Sequence, residues 1–105
     1  MARLWQVAKL VRSKNAGPFA LTFDIMFDDP GAYHRCKELG ILSRAAISSL
    51  YRVLEKDIQL FHVDNALAIK FSIPRPVSSG DLGDTDIFGG QQYAPLLDIE
   101  VPDKV

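Results

Sequence analysis

Hydrophobic and polar residues alternate with period two over three stretches of the chain. In 19–27, FALTFDIMF, Phe19, Leu21, Phe23, Ile25 and Phe27 share one side, while Ala20, Thr22, Asp24 and Met26 share the other. In 66–73, ALAIKFSI, Leu67, Ile69, Phe71 and Ile73 oppose Ala68, Lys70 and Ser72. In 96–101, LLDIEV, Leu97, Ile99 and Val101 oppose Asp98 and Glu100. Successive side chains of a strand point to opposite faces, so each stretch predicts a strand with one buried face. The apolar run at 58–63, IQLFHV, predicts a further, short strand. Residues 3–13, RLWQVAKLVRS, follow another rhythm. Leu4, Val7, Ala8 and Val11 recur at i, i+3, i+4 and i+7, with Lys9 and Arg12 off that stripe, which predicts a helix.

Local punctuation sets the boundaries. Asn15 and Gly17 tolerate positive φ and Pro18 cannot continue a helix, so the first helix stops there. Asp29 can cap a helix that has Pro30 at its first position and ends at Gly40. Ser43 can cap a second helix over 44–54, with Ile47, Leu50, Tyr51 and Leu54 on one face. The Asp64–Asn65 pair signals a turn, and Pro74 and Pro76 end the strand before them. A long loop, 77–94, precedes the last strand.

Strands with one apolar face, and a polar face carrying Thr22, Asp24, Lys70, Ser72, Asp98 and Glu100, predict a mainly antiparallel sheet with helices on one side. The fold class is α+β: a two-layer sandwich, ferredoxin-like. The element order departs from βαββαβ, so a permuted or partial variant is expected. At 105 residues one domain, 1–105, is the expectation. The polar sheet face is either solvated or a subunit interface. A chain this small gains stability by association, so a homo-oligomer is expected.

Charge and composition narrow the function classes. The net charge of −1 gives no general attraction to nucleic acid or to an anionic membrane, and no run approaches the ~20 residues of a membrane span. Cys36 is the single cysteine, which excludes an internal disulfide and suits a reducing, cytoplasmic setting. The charge is uneven: Arg3, Lys9, Arg12 and Lys14 lie near the start, and Asp81, Asp84, Asp86, Asp98, Glu100 and Asp103 near the end.

The loop SSGDLGDTDIFGGQQYAPLL, 78–97, is the foremost candidate for function, because loops above ~12–15 residues are uncommon in compact domains unless they act or are disordered. Its glycines suit a phosphate cradle, but Asp81, Asp84 and Asp86 would repel an anion and no P-loop or GxGxxG pattern occurs. Their spacing departs from a calcium loop. No HxxxH, CxxC or GxSxG is present, so no metal or cofactor is expected. His34 and Cys36, two apart on a helix, do not face each other. Arg12, Lys14 and Asn15, placed at a helix C-terminus, read as favourable capping charges or as partners of the acidic loop. Within the loop, Asp84, Thr85, Asp86, Gln91 and Gln92 are the expected hydrogen-bonding contacts to another chain or to the basic N-terminal segment. Ile87, Phe88 and Tyr93 are the expected apolar anchors.

Three segments together resemble a known family: LWQVAKLVRSKNAGPFALTFDIMFDD at 4–29, AIKFSIPRP at 68–76 and GDTDIFGGQQYAPLLDIEVP at 83–102. They are similar to bacterial proteins of ~100 residues that are catalogued as a domain of unknown function. These are described as AtuA-like with a ferredoxin-type fold, and they sit beside or fused to AtuA-type acyclic-terpene-utilisation proteins. The resemblance implies an accessory subunit of an AtuA-type protein in catabolism of acyclic terpenes or related small branched acids, not catalytic on its own. It carries over no catalytic residues. Two alternatives stand beside it: a subunit completing a shared lyase- or hydratase-type active site, and a self-assembling small-ligand-binding module.

Overall fold

The structure is a computed structural model, and it describes residues 2–17, 19–74 and 93–102. A four-stranded antiparallel sheet organises it. Its strands are β2 (Leu10–Asn15), β3 (Ala20–Met26), β4 (Gln59–Val63) and β5 (Ala68–Pro74), in spatial order β2-β3-β5-β4. Helices α2 (Pro30–Glu38) and α3 (Arg44–Tyr51) join the two hairpins. Entering a βαββαβ sheet at its second strand gives this same antiparallel strand order, but here α2 and α3 both lie between the hairpins, and among the described residues only the one-turn helix at 94–97 follows β5. A two-stranded ribbon pairs β1 (Ala2–Arg3) with β6 (Glu100–Val101), and the short helices α1 (Leu4–Val7) and α4 (Ala94–Leu97) lie next to it in sequence.

The helices start and stop where the sequence allows. Asp29 accepts a hydrogen bond from the Gly31 backbone N–H at the head of α2, and Ser43 accepts one from the Ala46 N–H at the head of α3. Gly40 follows α2 with φ +65°, a conformation that glycine adopts without strain. Helix α3 ends at Tyr51, three residues short of the expected 54, because Arg52 turns left-handed at φ 58°.

Ala32, Tyr33 and Cys36 of α2 and Ile47 of α3 pack on Leu21, Phe23, Ile25, Ile69, Phe71 and Ile73 of the sheet. Phe23 stacks on Phe71 with ring centroids 4.4 Å apart, and Tyr51 tilts against Phe23 at 5.1 Å. Alternation in β3 and β5 is therefore as expected over 21–27 and 69–73. Phe19 is the exception: it precedes β3 in the hairpin turn and is 67% exposed. Leu50 and Leu54 also face solvent rather than sharing the buried side of Ile47 and Tyr51.

Two expectations are overturned. Residues 3–13 are not one helix: α1 is a single turn, and the chain then extends into β2. Leu4, Val7, Ala8 and Val11 all touch the core, but through a turn followed by a strand. From Val11 onward the inward positions are 11, 13 and 15. Ser13 and Asn15 are polar, which hides the period of two. The last strand is also shorter than 96–101. Residues 94–97 form a helical turn opened by Pro95, leaving only Glu100 and Val101 extended. Asp98 and Glu100 therefore do not lie on the polar face of the main sheet.

Candidate functional site

Among the described residues, helices cover one face of the main sheet only, and the register fixes what its other face presents. One row runs Leu10, Met26, Ala68, Val63 across the strands; the next runs Arg12, Asp24, Lys70, Phe61; a third runs Lys14, Thr22, Ser72, Gln59. Apolar, charged and hydroxylic groups thus form three stripes perpendicular to the strands.

Asp24 is the centre of the charged stripe. Its side chain is only 6% exposed, with the Arg12 and Lys70 side chains against it. Arg12 donates from Nε to Oδ2 at 3.0 Å, and Lys70 places Nζ 3.6 Å from Oδ1. Half of each cation remains in solvent: 55% of the Arg12 side chain and 47% of Lys70. One carboxylate therefore anchors two cations that still face outward. Arg12 keeps further N–H donors for a second carboxylate. Lys14 is exposed in the adjacent stripe, beside the Thr22 and Ser72 hydroxyls, which sit 3.3 Å apart. Among the described residues this surface bears three cations against one buried acid, and it suits a carboxylate-bearing partner. Lys9 and Asp28 also approach to 3.5 Å, but both are exposed and such pairs contribute little.

This arrangement corrects the reading of the basic N-terminal segment. Arg12, Lys14 and Asn15 lie on an outer strand, not at a helix C-terminus, so no helix dipole acts on them. Arg12 and Lys14 share the open face. Asn15 points the other way, with Ser13. Tyr93 does approach this strand: its backbone N–H donates to Ser13 Oγ at 3.0 Å, and its side chain packs against the core. The expected contacts Asp84, Thr85, Asp86, Phe88, Gln91 and Gln92 lie outside the described residues, as does the pairing of the acidic loop with Arg12 and Lys14.

A second polar cluster went unread in the sequence. Tyr33 and Lys37, at i and i+4 on α2, both reach Asp64 in the turn before β5. The Tyr33 hydroxyl donates at 2.5 Å and Lys37 Nζ at 3.0 Å. The spacing was the available signal, since i and i+4 share a helix face. The hydrogen bonds from Tyr33 and Lys37 hold the Asp64 carboxyl below its ordinary range. Burial, with Asp64 next to it, pushes the Tyr33 phenol up to about 12. The unfolded chain therefore ionises this phenol first. The stability that Tyr33 carries is whole below pH 10 and is lost as pH rises toward about 12. In Tyr33→Phe, the stability deficit relative to wild type at neutral pH should narrow across that window. Urea titrations followed by circular dichroism at stepped pH check it; a deficit constant with pH counts against the assignment.

Neither buried thiol nor histidine forms a reactive constellation here. Burial raises Cys36 to about 11, which leaves it a thiol near neutral pH. Among the described residues no three His, Cys, Asp or Glu side chains are grouped to hold a metal ion, and no helix is long and apolar enough to cross a membrane.

A family model described as "Domain of unknown function (DUF4387)" matches residues 4–100. No curated protein and no solved structure matches the chain.

Proposed function

The chain belongs to the DUF4387 family, and we propose that it is a non-catalytic accessory subunit. It docks through the open face of its four-stranded sheet on a carboxylate-bearing surface of a larger protein. The observation that carries this reading is the buried Asp24 holding Arg12 and Lys70 outward on the sheet face opposite α2 and α3. The partner proposed, on the sequence resemblance, is an AtuA-type protein in bacterial catabolism of acyclic terpenes or related small branched acids. Opposite charge steers such an encounter and fixes its register.

Lys14→Glu is the cleanest probe, because Lys14 is exposed and the substitution leaves the Asp24 contacts in place. The wild-type chain, co-purified with an AtuA-type protein, should form a complex at micromolar concentration. Lys14→Glu should weaken that complex ~10-fold or more, mostly through the association rate, with the melting temperature unchanged. A complex that fails to form, or one indifferent to Lys14→Glu and Arg12→Gln, overturns the reading. Loss of turnover by the pair with the complex intact would instead indicate a shared active site.

A further inference from the structure

We propose that two copies of this chain pair edge to edge through β4, joining their sheets into one of eight strands. The backbone fixes which groups are on offer. The Phe27 N–H donates to the Leu67 carbonyl, so Leu67, Ile69, Phe71 and Ile73 turn their backbone groups toward β3. Ala68, Lys70 and Ser72 then turn theirs toward β4, where they meet Val63, Phe61 and Gln59. The backbone groups of Ile58, Leu60 and His62 point away from the sheet. Arg44 caps the first of these, donating from Nε to the Ile58 carbonyl at 3.2 Å. Among the described residues, Leu60 and His62 form the open part of the edge.

Exposed edges are normally protected by charge, proline or a bulge. β4 has none of these: residues 58–63 include no Lys, Arg, Asp, Glu or Pro, and the register with β5 is one-to-one throughout. The opposite edge, β2, carries Arg12 and Lys14 and is met by the Tyr93 N–H.

The β4 edge is self-complementary. An antiparallel pairing with its two-fold axis at Phe61 places Leu60 opposite the second copy's His62, and His62 opposite its Leu60, each pair exchanging two backbone hydrogen bonds. Phe61 then faces its own copy as a non-hydrogen-bonded pair, the geometry with the closest side chains. That accounts for an aromatic ring left 57% exposed in the middle of a strand. On the helical side, a groove of about 380 Å³ runs along the same edge. Its lining includes Leu42, Ser43, Glu55, Leu60 and His62, and it would receive the second copy's Leu60. The open faces of the two sheets end on the same side, so this pairing leaves the Arg12, Lys14 and Lys70 surface accessible and stands independently of the proposed docking.

Sedimentation velocity from ~1 to ~100 µM should show a concentration-dependent dimer, since mass action governs the pairing. Phe61→Lys should shift it to monomer, with the melting temperature unchanged at the dilute end of that range, where the wild type is itself monomeric, because Phe61 is exposed. In a Phe61→Cys variant, the two thiols lie within disulfide range across the axis. Mild oxidation should cross-link it at least 10-fold faster than a Phe19→Cys control. A wild-type monomer over the whole range, a dimer that survives Phe61→Lys, or equal cross-linking at positions 19 and 61 would each overturn the proposal.

Discussion

Phe23→Ala is expected to lower the unfolding free energy by about 3–5 kcal/mol, the range for removing a buried aromatic ring. Phe23 is fully buried at the middle of β3, a central strand of the sheet. It stacks on Phe71 and meets Tyr51, so truncation removes contacts with both β5 and α3 at once. Both flanking rings are themselves held by the sheet and helix that carry them, which limits collapse into the space left behind. For a domain near this size, each kcal/mol moves the melting temperature by about 4–8 °C. Thermal and urea unfolding should therefore show a loss of at least ~12 °C, or a chain largely unfolded if the parent sits at the low end of the usual 5–15 kcal/mol. Phe19→Ala is the internal control. Phe19 has the same alternation parity but lies exposed at the turn, so it should stay within about 0.5 kcal/mol of wild type. A cost for Phe23→Ala below about 1.5 kcal/mol would mean that the three-ring cluster is not the centre of the core.

The contrast between those two phenylalanines shows what alternation can and cannot say. It assigns a side chain to a face, but not the position at which the strand gives way to a turn. β3 and β5 were legible because their inward positions are apolar and their neighbours are not. β2 was not, because its inward positions after Val11 are Ser13 and Asn15. A polar residue can occupy an inward position when tertiary structure supplies a partner, as the Tyr93 N–H does for Ser13. That partner is 80 residues away, and no local pattern records it. Helix α4 was missed for the opposite reason: Leu96 and Leu97 fit a strand pattern, but Pro95 opens a helical turn that buries Leu96. Of the candidate site, Arg12, Lys14, Lys70 and Asp24 could each be found in the sequence. Their assembly required the register of three strands, which a misread β2 concealed.

Asp24→Ala is expected to cost about 1–3 kcal/mol, and the reason bears directly on the open face. Breaking a fully buried ion pair costs about 3–5 kcal/mol, because the abandoned charge stays desolvated. Here the acid is buried but Arg12 and Lys70 are half in water, so each can turn outward when its partner goes, and the cost is discounted accordingly. What remains is the repulsion of two cations across β3 and the space beneath them. Asp24→Ala combined with Arg12→Ala should cost less than the sum of the two single changes, with a coupling of about 0.5–3 kcal/mol measurable by urea unfolding. Asp24→Leu should recover part of the loss, since an apolar side chain of similar volume refills the space. The same substitutions separate structure from recognition. Without Asp24 the face gains net positive charge, but Arg12 and Lys70 lose their orientation. Partner association should then become more salt-sensitive while the complex dissociates faster. If Asp24→Ala instead left stability within about 0.5 kcal/mol and binding unaltered, the carboxylate would not be positioning those cations, and the docking surface would have to be sought elsewhere on the domain.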